Sequence, residues 1–563
     1  MTEQGVAPML RGMRVALAQV NPTIGDLRGN RWLVEEAAAK AASEKADLVV
    51  LPELVLTGYP PMDLLEREGF VRDQLRELDL LAPASARVAI ALGAVLPAEG
   101  AGPQRLVNAA VLLAGGERRA VRAKTLLPTY DVFDEKRWFQ PAGKRETASL
   151  RPGGEPLGLT VCEDVWVHEL GYPIDPAGEL ARAGARVVLN LSASPWHVGK
   201  AVQRRRMVAD LAARHRVACV FVNQVGGNDE LIFDGASFVV DARGRVLAAL
   251  PHFEPGFAVV DLEAAEPGLA PEAVVDPDGV DQLESGLVLG IRDYFRKLDL
   301  PPGAVIGLSG GIDSAVTAWL AVEALGAERV VGLAMPGPFS SDHSLSDALA
   351  LGRNLAIEVR RLDIRPIYQA YLDAFRALFG PRDDYGLTQQ NIQARIRGAL
   401  LMAVSNAEGR LVLATGNKSE LSVGYSTLYG DTVGGLAVLG DVYKRDVYAL
   451  ARRANARGER IPRGSLEKAP SAELAPGQLD SDDLPAYEIL DPILEQIIEG
   501  QRGASGIALP PGADAALVGR VMARVDRNEY KRRQAPLVLR TSPKAFGPGR
   551  RLPIAQRYRG GIP

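Results

Sequence analysis

The sequence predicts an α/β protein of two large domains, on three observations. Short apolar strands alternate with helical stretches along the chain. A segment rich in proline, alanine and acid, residues 263–282, interrupts that alternation. The 563 residues also exceed what one core usually organises, since domains hold about 100–200 residues. The expected division is residues 1–262 as a first domain, 263–285 as a linker and 286–563 as a second domain.

In the first half, Arg14–Gln19, Ala46–Leu51, Arg87–Leu96, Leu157–Cys162, Ala185–Leu191 and Val217–Val222 read as strands, and Arg31–Glu44 has helical composition. Leu106–Ala114 and Arg119–Lys124 flank Gly115-Gly116, a hairpin signal. Phe238–Val240 and Val246–Leu250 pair around the turn at 241–244. After the linker the order is strand, glycine loop, helix. Ala304–Leu308 is a strand, Ser309–Asp313 a loop and Ser314–Leu325 a helix. Arg329–Met335 and Leu411–Ala414 are further strands, with Asn391–Asn406 helical between them. That grammar predicts a doubly wound parallel sheet with helices on both faces, binding its ligands beyond the carboxyl ends of the strands.

Composition excludes several classes. Hydrophobic residues make up 47% and charged residues 24%, as in ordinary globular protein, so wholesale disorder is out. The net charge of −4 argues against a nucleic-acid coat. Two cysteines, Cys162 and Cys219, cannot build a disulfide framework, and they fit a reducing compartment. No apolar run approaches the ~18 residues of a membrane helix. The N-terminus lacks the basic start and apolar block of a signal peptide. A cytoplasmic protein without membrane or nucleic-acid partners is expected.

Three polar residues of the first half each end a predicted strand: Glu53, Lys124 and Cys162. Strand ends converge at one sheet edge, so the three can meet. A thiolate attacks acyl carbon, a carboxylate can take its proton, and an ammonium can stabilise the resulting oxyanion. An amide or nitrile is the matching substrate. A cysteine at a strand end is more often a small core residue, and Cys219, inside VACVFVN, keeps that reading.

The surrounding strings favour the chemical reading for Cys162. LPELVLTGYPPMDLL, AKTLLPTYDVFDEKRWF, LTVCEDVW, NLSASPWHVGK and FVNQVGGNDELIFDGAS resemble, in order, the glutamine-hydrolysing members of the carbon–nitrogen hydrolase (nitrilase) superfamily. Over residues 13–262 the resemblance implies an αββα sandwich with Glu53, Lys124 and Cys162 as the triad. It also implies a glutamine pocket including Tyr130, Ser194 and Lys200. Glu135 is a candidate second carboxylate, or else a surface partner of Arg137.

In the second half a strand runs into Ser309-Gly310-Gly311-Ile312-Asp313-Ser314 and then a helix. Glycines let backbone amides approach an anion, and the helix N-terminus favours phosphate. Asp313 suits a Mg²⁺ that bridges phosphates. The loop lacks the Gly-Lys-Ser/Thr end of a Walker loop. It resembles instead the SGGxDS loop of the ATP pyrophosphatases, which release pyrophosphate and transfer AMP. QQNIQARIRG, ATGNKSELSVGYSTLYGD, DVYKRDV, KAPSAEL and EYKRRQAPLVL further resemble NAD synthetase domains, from about Gly286 onward.

That resemblance implies ATP binding by Gly307, Leu308, Ser309, Gly310, Gly311, Ile312, Asp313, Ser314 and Thr415. It implies deamido-NAD binding by Asn391, Glu420 and Lys531, and Mg²⁺ near Asp313 and Glu420. Gln390 stands where the family often carries Glu. Lys531-Arg532-Arg533 reads as a cationic cluster suited to pyrophosphate. Residues 470–474, in the polar segment 457–484, read as a lid.

Together the halves resemble the glutamine-dependent NAD synthetases: one unit frees ammonia, the other adenylates a carboxylate and amidates it. The resemblance implies ATP, deamido-NAD and glutamine as substrates, a sheltered passage for ammonia, and a homo-oligomer. A synthetase of the same ATP-loop class acting on another carboxylate, an amidase with an inert appendage, and a nucleotide sensor remain as alternatives.

Overall fold

The computed structural model describes residues 12–99, 104–263, 268–300 and 302–557. The chain forms two compact units. The first holds Met1–Asn228 and Ile232–Pro277, the second Asp229–Leu231 and Asp278–Pro563.

The first unit begins with β1 (Arg14–Gln19), β2 (Leu48–Val50), β3 (Ala89–Pro97), β4 (Leu106–Ala114), β5 (Glu117–Ala123), β6 (Leu157–Val161), β7 (Val187–Ser192) and β8 (Ala218–Asn223). A ribbon, β9 (Val225–Asn228) and β10 (Leu231–Asp234), follows. β11 (Phe238–Val240), β12 (Val246–Ala249) and β13 (Gly256–Asp261) complete the set. One six-stranded sheet has the order β13-β1-β2-β3-β4-β5, and a five-stranded sheet the order β12-β11-β8-β7-β6.

Strand periodicity explains how these sheets stack. Successive side chains point to opposite faces. Val15 and Leu17 enter a core shared with Leu159, Val161, Leu189 and Val220 of the other sheet. Ala16 and Ala18 face outward onto α1 (Leu27–Ser43) and α2 (Phe70–Leu80), where Val34, Ala38 and Leu78 lie. Along the second sheet, Cys219 and Phe221 turn outward to Val208, Leu211 and Ala212. Three helices precede or supply that cover: α3 (Val167–Leu170), α4 (Pro176–Arg182) and α5 (Lys200–His215). The layers are therefore helix, sheet, sheet, helix, the sandwich the resemblance implies.

The second unit opens with α6 (Gly279–Lys297), capped by Asp278, so the last residues of the 263–285 stretch are helical. Its strands are β14 (Ala304–Gly307), β15 (Val330–Ala334), β16 (Glu358–Arg361), β17 (Leu411–Ala414), β18 (Leu436–Ala437) and β19 (Leu537–Val538). All neighbouring pairs are parallel, in the order β16-β15-β14-β17-β18-β19. The order reverses between β14 and β17, and ligands bind at such a switch point.

The helices are α7 (Ile312–Leu325), α8 (Asp342–Leu355), α9 (Arg365–Phe379), α10 (Leu387–Glu408), α11 (Lys418–Val423), α12 (Lys444–Ala454), α13 (Arg463–Glu467), α14 (Tyr487–Ile498), α15 (Ala515–Arg527) and α16 (Glu529–Arg532). Val305, Leu333 and Val412 pack on one face against Tyr368 of α9 and Ile392 and Ile396 of α10. No helix among the described residues is long and apolar enough to cross a membrane.

Candidate active sites

In the first unit β2 and β5, with β3 and β4 between them in one sheet, and β6 of the other sheet are each followed by a polar residue of the expected triad. Lys124 Nζ lies 2.8 Å from Glu53 Oε1 and 2.8 Å from Glu135 Oε1. Lys124 and Glu53 are almost wholly buried, at 1% and 0% exposure. Glu53 also accepts from Asn108 Nδ2 at 2.6 Å and from the Ala193 amide at 3.0 Å. A buried charge persists only when paired and hydrogen-bonded, and this carboxylate is both. Glu135 is buried and takes a second bond from Tyr59 Oη at 2.9 Å, while Arg137 pairs with Asp63 and Glu66. The surface pairing of Glu135 with Arg137 is thus not formed.

Cys162 follows β6 directly and adopts φ +40°, which turns it out of the sheet and ends the strand at Val161. Burial pushes its thiol well above the usual range. Glu53 and Glu163 add to that, while Lys124 and the Ala193 amide oppose it. The resting sulfur is therefore a thiol that needs a base. Burial also pulls Lys124 downward, but Glu135 and Glu53 outweigh it and hold the ammonium charged. Burial raises Glu135 to about 7. Cys219 sits in the outer core with its thiol raised by burial alone to about 12, an inert core residue.

Beside the thiol, Glu163 accepts from Tyr130 Oη and Tyr172 Oη, each at 2.9 Å. Lys200 Nζ stands 3.9 Å over the Trp166 ring. The Ser194 amide donates to Asn223 Oδ1 at 2.8 Å, and its carbonyl accepts from Arg204 at 3.2 Å. The sequence reading missed Glu163 and Tyr172; the acid directly after Cys162 was the available signal.

In the second unit a cavity of about 470 Å³ opens at the switch point. Residues 307–309 and 311–314, Asn391, Thr415, Glu420 and Lys531 all line it. Gly310 has φ +77°, and a Cβ there would stand 2.3 Å from the Ser344 carbonyl oxygen, so only glycine fits. Ser314 Oγ donates to the Gly311 carbonyl at 3.0 Å, and the Gly311 amide donates to Ser309 Oγ at 3.2 Å. The loop is a preformed concavity at the start of α7.

Lys444 Nζ bridges Asp313 Oδ2 at 2.6 Å and Glu420 Oε1 at 3.1 Å. Asn417 caps α11 and donates to Asp313 Oδ1 at 2.8 Å. Burial first, then Asp313 and Asp480, raise Glu420 to about 8 against the pull of Lys444. Arg397 reaches the same cavity and donates to the Met335 carbonyl at 3.1 Å. Lys444 and Arg397 were not singled out in the sequence, although each lies inside a quoted string.

The cationic cluster divides. Lys531 lines the cavity and donates to the Gly424 and Ser426 carbonyls at 2.7 Å each. Arg532 turns into the core to satisfy the Leu421 and Ser422 carbonyls and pairs with Glu529, which Arg533 also contacts. Free carbonyls at the end of α11 draw Arg532 inward. Residues 469–474 line the cavity, and Glu473 accepts from Ser341 Oγ and Ser344 Oγ at 3.0 and 2.8 Å.

The two halves match separate family models, carbon-nitrogen hydrolase over residues 14–271 and NAD synthase over residues 284–535. Fold and sites thus define a protein in which a nitrilase-fold hydrolase unit is joined to an NAD synthase unit. The chain is 44% identical over 557 residues to the glutamine-dependent NAD(+) synthetase of Synechocystis, covering 97% of this chain and 99% of that one. It is 41% identical to that of Thermotoga maritima, covering 98% and 100%. The structure of the Acinetobacter baumannii enzyme in complex with ADP matches with a TM-score of 0.76 at 37% identity, over 97% of this chain and 98% of that one. The chain belongs to the family of glutamine-dependent NAD(+) synthetases.

Proposed function

We propose that this chain makes NAD from deamido-NAD, ATP and glutamine, releasing AMP, pyrophosphate and glutamate. The observation that carries the reading is the presence in one chain of the Glu53–Lys124–Cys162 cluster and of the glycine cradle at the switch point.

In the first unit Glu53 takes the Cys162 proton as sulfur attacks the glutamine carboxamide. Lys124 steadies the oxyanion, since an ammonium held in a dry site acts strongly on developing charge. Glu53 returns the proton to the departing amine, and ammonia leaves. Water, activated by Glu53, then hydrolyses the thioester to glutamate. Tyr130, Ser194 and Lys200 are the pocket residues of this reading. Glu163 adds the negative charge that suits the glutamine α-ammonium.

In the second unit the deamido-NAD carboxylate attacks the α-phosphorus of ATP, and ammonia displaces AMP from the acyl-adenylate. The amides and hydroxyls of residues 307–314, with Thr415, hold ATP. Asn391, Glu420 and Lys531 hold deamido-NAD. Asp313 and Glu420 converge on Lys444 and offer carboxyl oxygens of the kind Mg²⁺ takes, although among the described residues no three acidic, histidine or cysteine side chains group into a metal site by themselves. Mg²⁺ prefers hard oxygen donors and shares its shell with substrate phosphates. Asp313 and Glu420 would hold it, and when bound it supplies charge neutralisation of the leaving pyrophosphate. Exposed apolar residues along α9, Ile367, Tyr371, Leu378 and Phe379, support a homo-oligomer.

The test is turnover with amide-¹⁵N glutamine in the presence of unlabelled ammonium. Labelled NAD is expected; purified protein that never forms it overturns the reading.

A further inference from the structure

Asp164 lies two residues beyond Cys162, is 2% exposed, and has no cation within ion-pair distance among the described residues. Its carboxylate is committed to backbone amides on two separate segments. Oδ1 accepts from Thr125 at 2.9 Å and from Leu126 at 2.8 Å. Oδ2 accepts from Val161 at 3.0 Å. Thr125 and Leu126 directly follow Lys124, and Val161 directly precedes Cys162. One side chain therefore ties the end of β5 to the end of β6 at the two positions that carry the ammonium and the thiol.

The site needs such a tie. Cys162 sits at φ +40°, a conformation that is strained for a non-glycine residue and persists only where the surroundings over-determine it. The bond from the Val161 amide to Asp164 Oδ2 closes the turn around Cys162, and the bonds from Thr125 and Leu126 anchor the same carboxylate. A neutral amide would accept less strongly, and an apolar side chain would leave three buried N–H groups without a partner.

We propose that Asp164 is the positioning residue of the amide-hydrolysing site, holding Lys124 and Cys162 in register by bonding the backbone beside each. The inference rests on the reading of Cys162 and Lys124 as the reacting pair. The Asp164 carboxylate is taken up by backbone amides. It acts by placing the ammonium where the oxyanion forms. Displacement of about 1 Å at such a centre costs on the order of 10²-fold in rate.

The experiment compares full-length wild type with Asp164→Ala, Asp164→Asn and Cys162→Ser. Each is assayed for glutamine hydrolysis and for NAD formation from ammonium, and the three proteins that keep Cys162 also for the rate at which iodoacetamide alkylates it, read by mass spectrometry. For Asp164→Ala the expected result is a fall of about 10²-fold in kcat for glutamine hydrolysis with KM changed by less than about 3-fold. Alkylation slows in parallel, and ammonium-driven synthesis stays at the wild-type rate. Asp164→Asn, which keeps the volume and one acceptor oxygen, is expected between the two. The proposal is overturned if kcat in either folded variant stays within about 2-fold of wild type, or if the loss falls on KM alone. It is also overturned if Asp164→Asn loses ammonium-driven synthesis as well, because the residue then serves folding in general. If Cys162→Ser still hydrolyses glutamine, the reading beneath the proposal fails instead, whatever the Asp164 variants do.

Discussion

The ammonium of Lys444 stands 2.6 Å from the carboxylate of Asp313, at the mouth of the glycine cradle. The two residues are 131 positions apart and come from the starts of α12 and α7. Their pairing sets the charge at the point where a nucleotide phosphate chain would lie. Asp313→Ala should therefore cut NAD formation by about 10²–10³-fold, the scale of losing one preorganised electrostatic contact. The loss should be equal with glutamine and with ammonium as nitrogen source, while glutamate release continues. Glutamate release that also disappears would mean that the variant fails outside its own site.

Cys162→Ser separates the two chemistries from the other side. A serine hydroxyl is a far weaker nucleophile here, because it holds its proton more tightly than a thiol does and a carboxylate base removes it less readily. Glutamine-driven NAD formation should fall at least about 10³-fold, by analogy with loss of other catalytic nucleophiles. Ammonium-driven formation should persist. Parallel loss of both would show that the units do not divide the labour.

Glu163 has two tyrosine hydroxyls on one oxygen and no cation within ion-pair distance among the described residues. Burial raises its pKa, against Lys124, the two tyrosines and Lys200. A substrate ammonium would add a positive charge at bonding distance, which neither lysine provides. Glu163→Gln should raise KM for glutamine by about 10–100-fold, the equivalent of the roughly 1.5–3 kcal/mol of a hydrogen bond to a charged group. The kcat should change much less. A variant whose KM stays at the wild-type value removes Glu163 from the glutamine pocket.

The strands that carry Glu53 and Cys162 were legible because each is a buried apolar run, the pattern that burial of both sheet faces produces. The strand before Lys124, ERRAVRA, is charged and partly exposed, and the Gly115-Gly116 hairpin signal marked it instead. The glycine cradle was legible because Gly310 cannot be replaced at its φ. Asp164 and Lys444 were not, because their importance lies in bonds to residues 38 and 131 positions away. Arg532 misled for the converse reason. Three cations in a row look alike in sequence, and only the free carbonyls at Leu421 and Ser422 decide which one turns inward.

Lys418 is a fully buried cation of the second unit. Its buried ammonium meets Asp441 Oδ1 at 2.8 Å, Glu499 at 2.9 Å and Ser542 Oγ at 2.7 Å. Asp441 in turn accepts from the amides of Thr541 and Ser542. Lys418→Met leaves Asp441 buried without its cation, so about 3–5 kcal/mol of stability should be lost, as for other broken buried pairs. Denaturant unfolding followed at Trp319, the one tryptophan after residue 277, reads this directly. A loss below about 1 kcal/mol would put the pair in the class of weak surface bridges.

Glu420 makes the stability of the same unit depend on pH in an unusual direction. Its pKa is raised, by burial above all, from 4.5 to about 8. Between those values the folded state binds more protons than the unfolded state, so the free energy of unfolding falls as pH rises. The loss is complete above pH 8, where the buried carboxylate is charged in the fold, and it is absent below 4.5, where both states are protonated. Most salt-bridged carboxylates act in the opposite sense. Glu420→Gln cannot ionise, so it should be more stable than wild type at pH 8 and lose that advantage towards pH 5. The expected slope of the difference is up to about 1.4 kcal/mol per pH unit, the value for one proton. Unfolding curves followed at Trp319 without Mg²⁺ or ATP give the difference at each pH. A difference that is flat across this range would mean that Lys444 holds Glu420 ionised throughout, and that the excess negative charge offered to Mg²⁺ is present in the resting site at every pH tested.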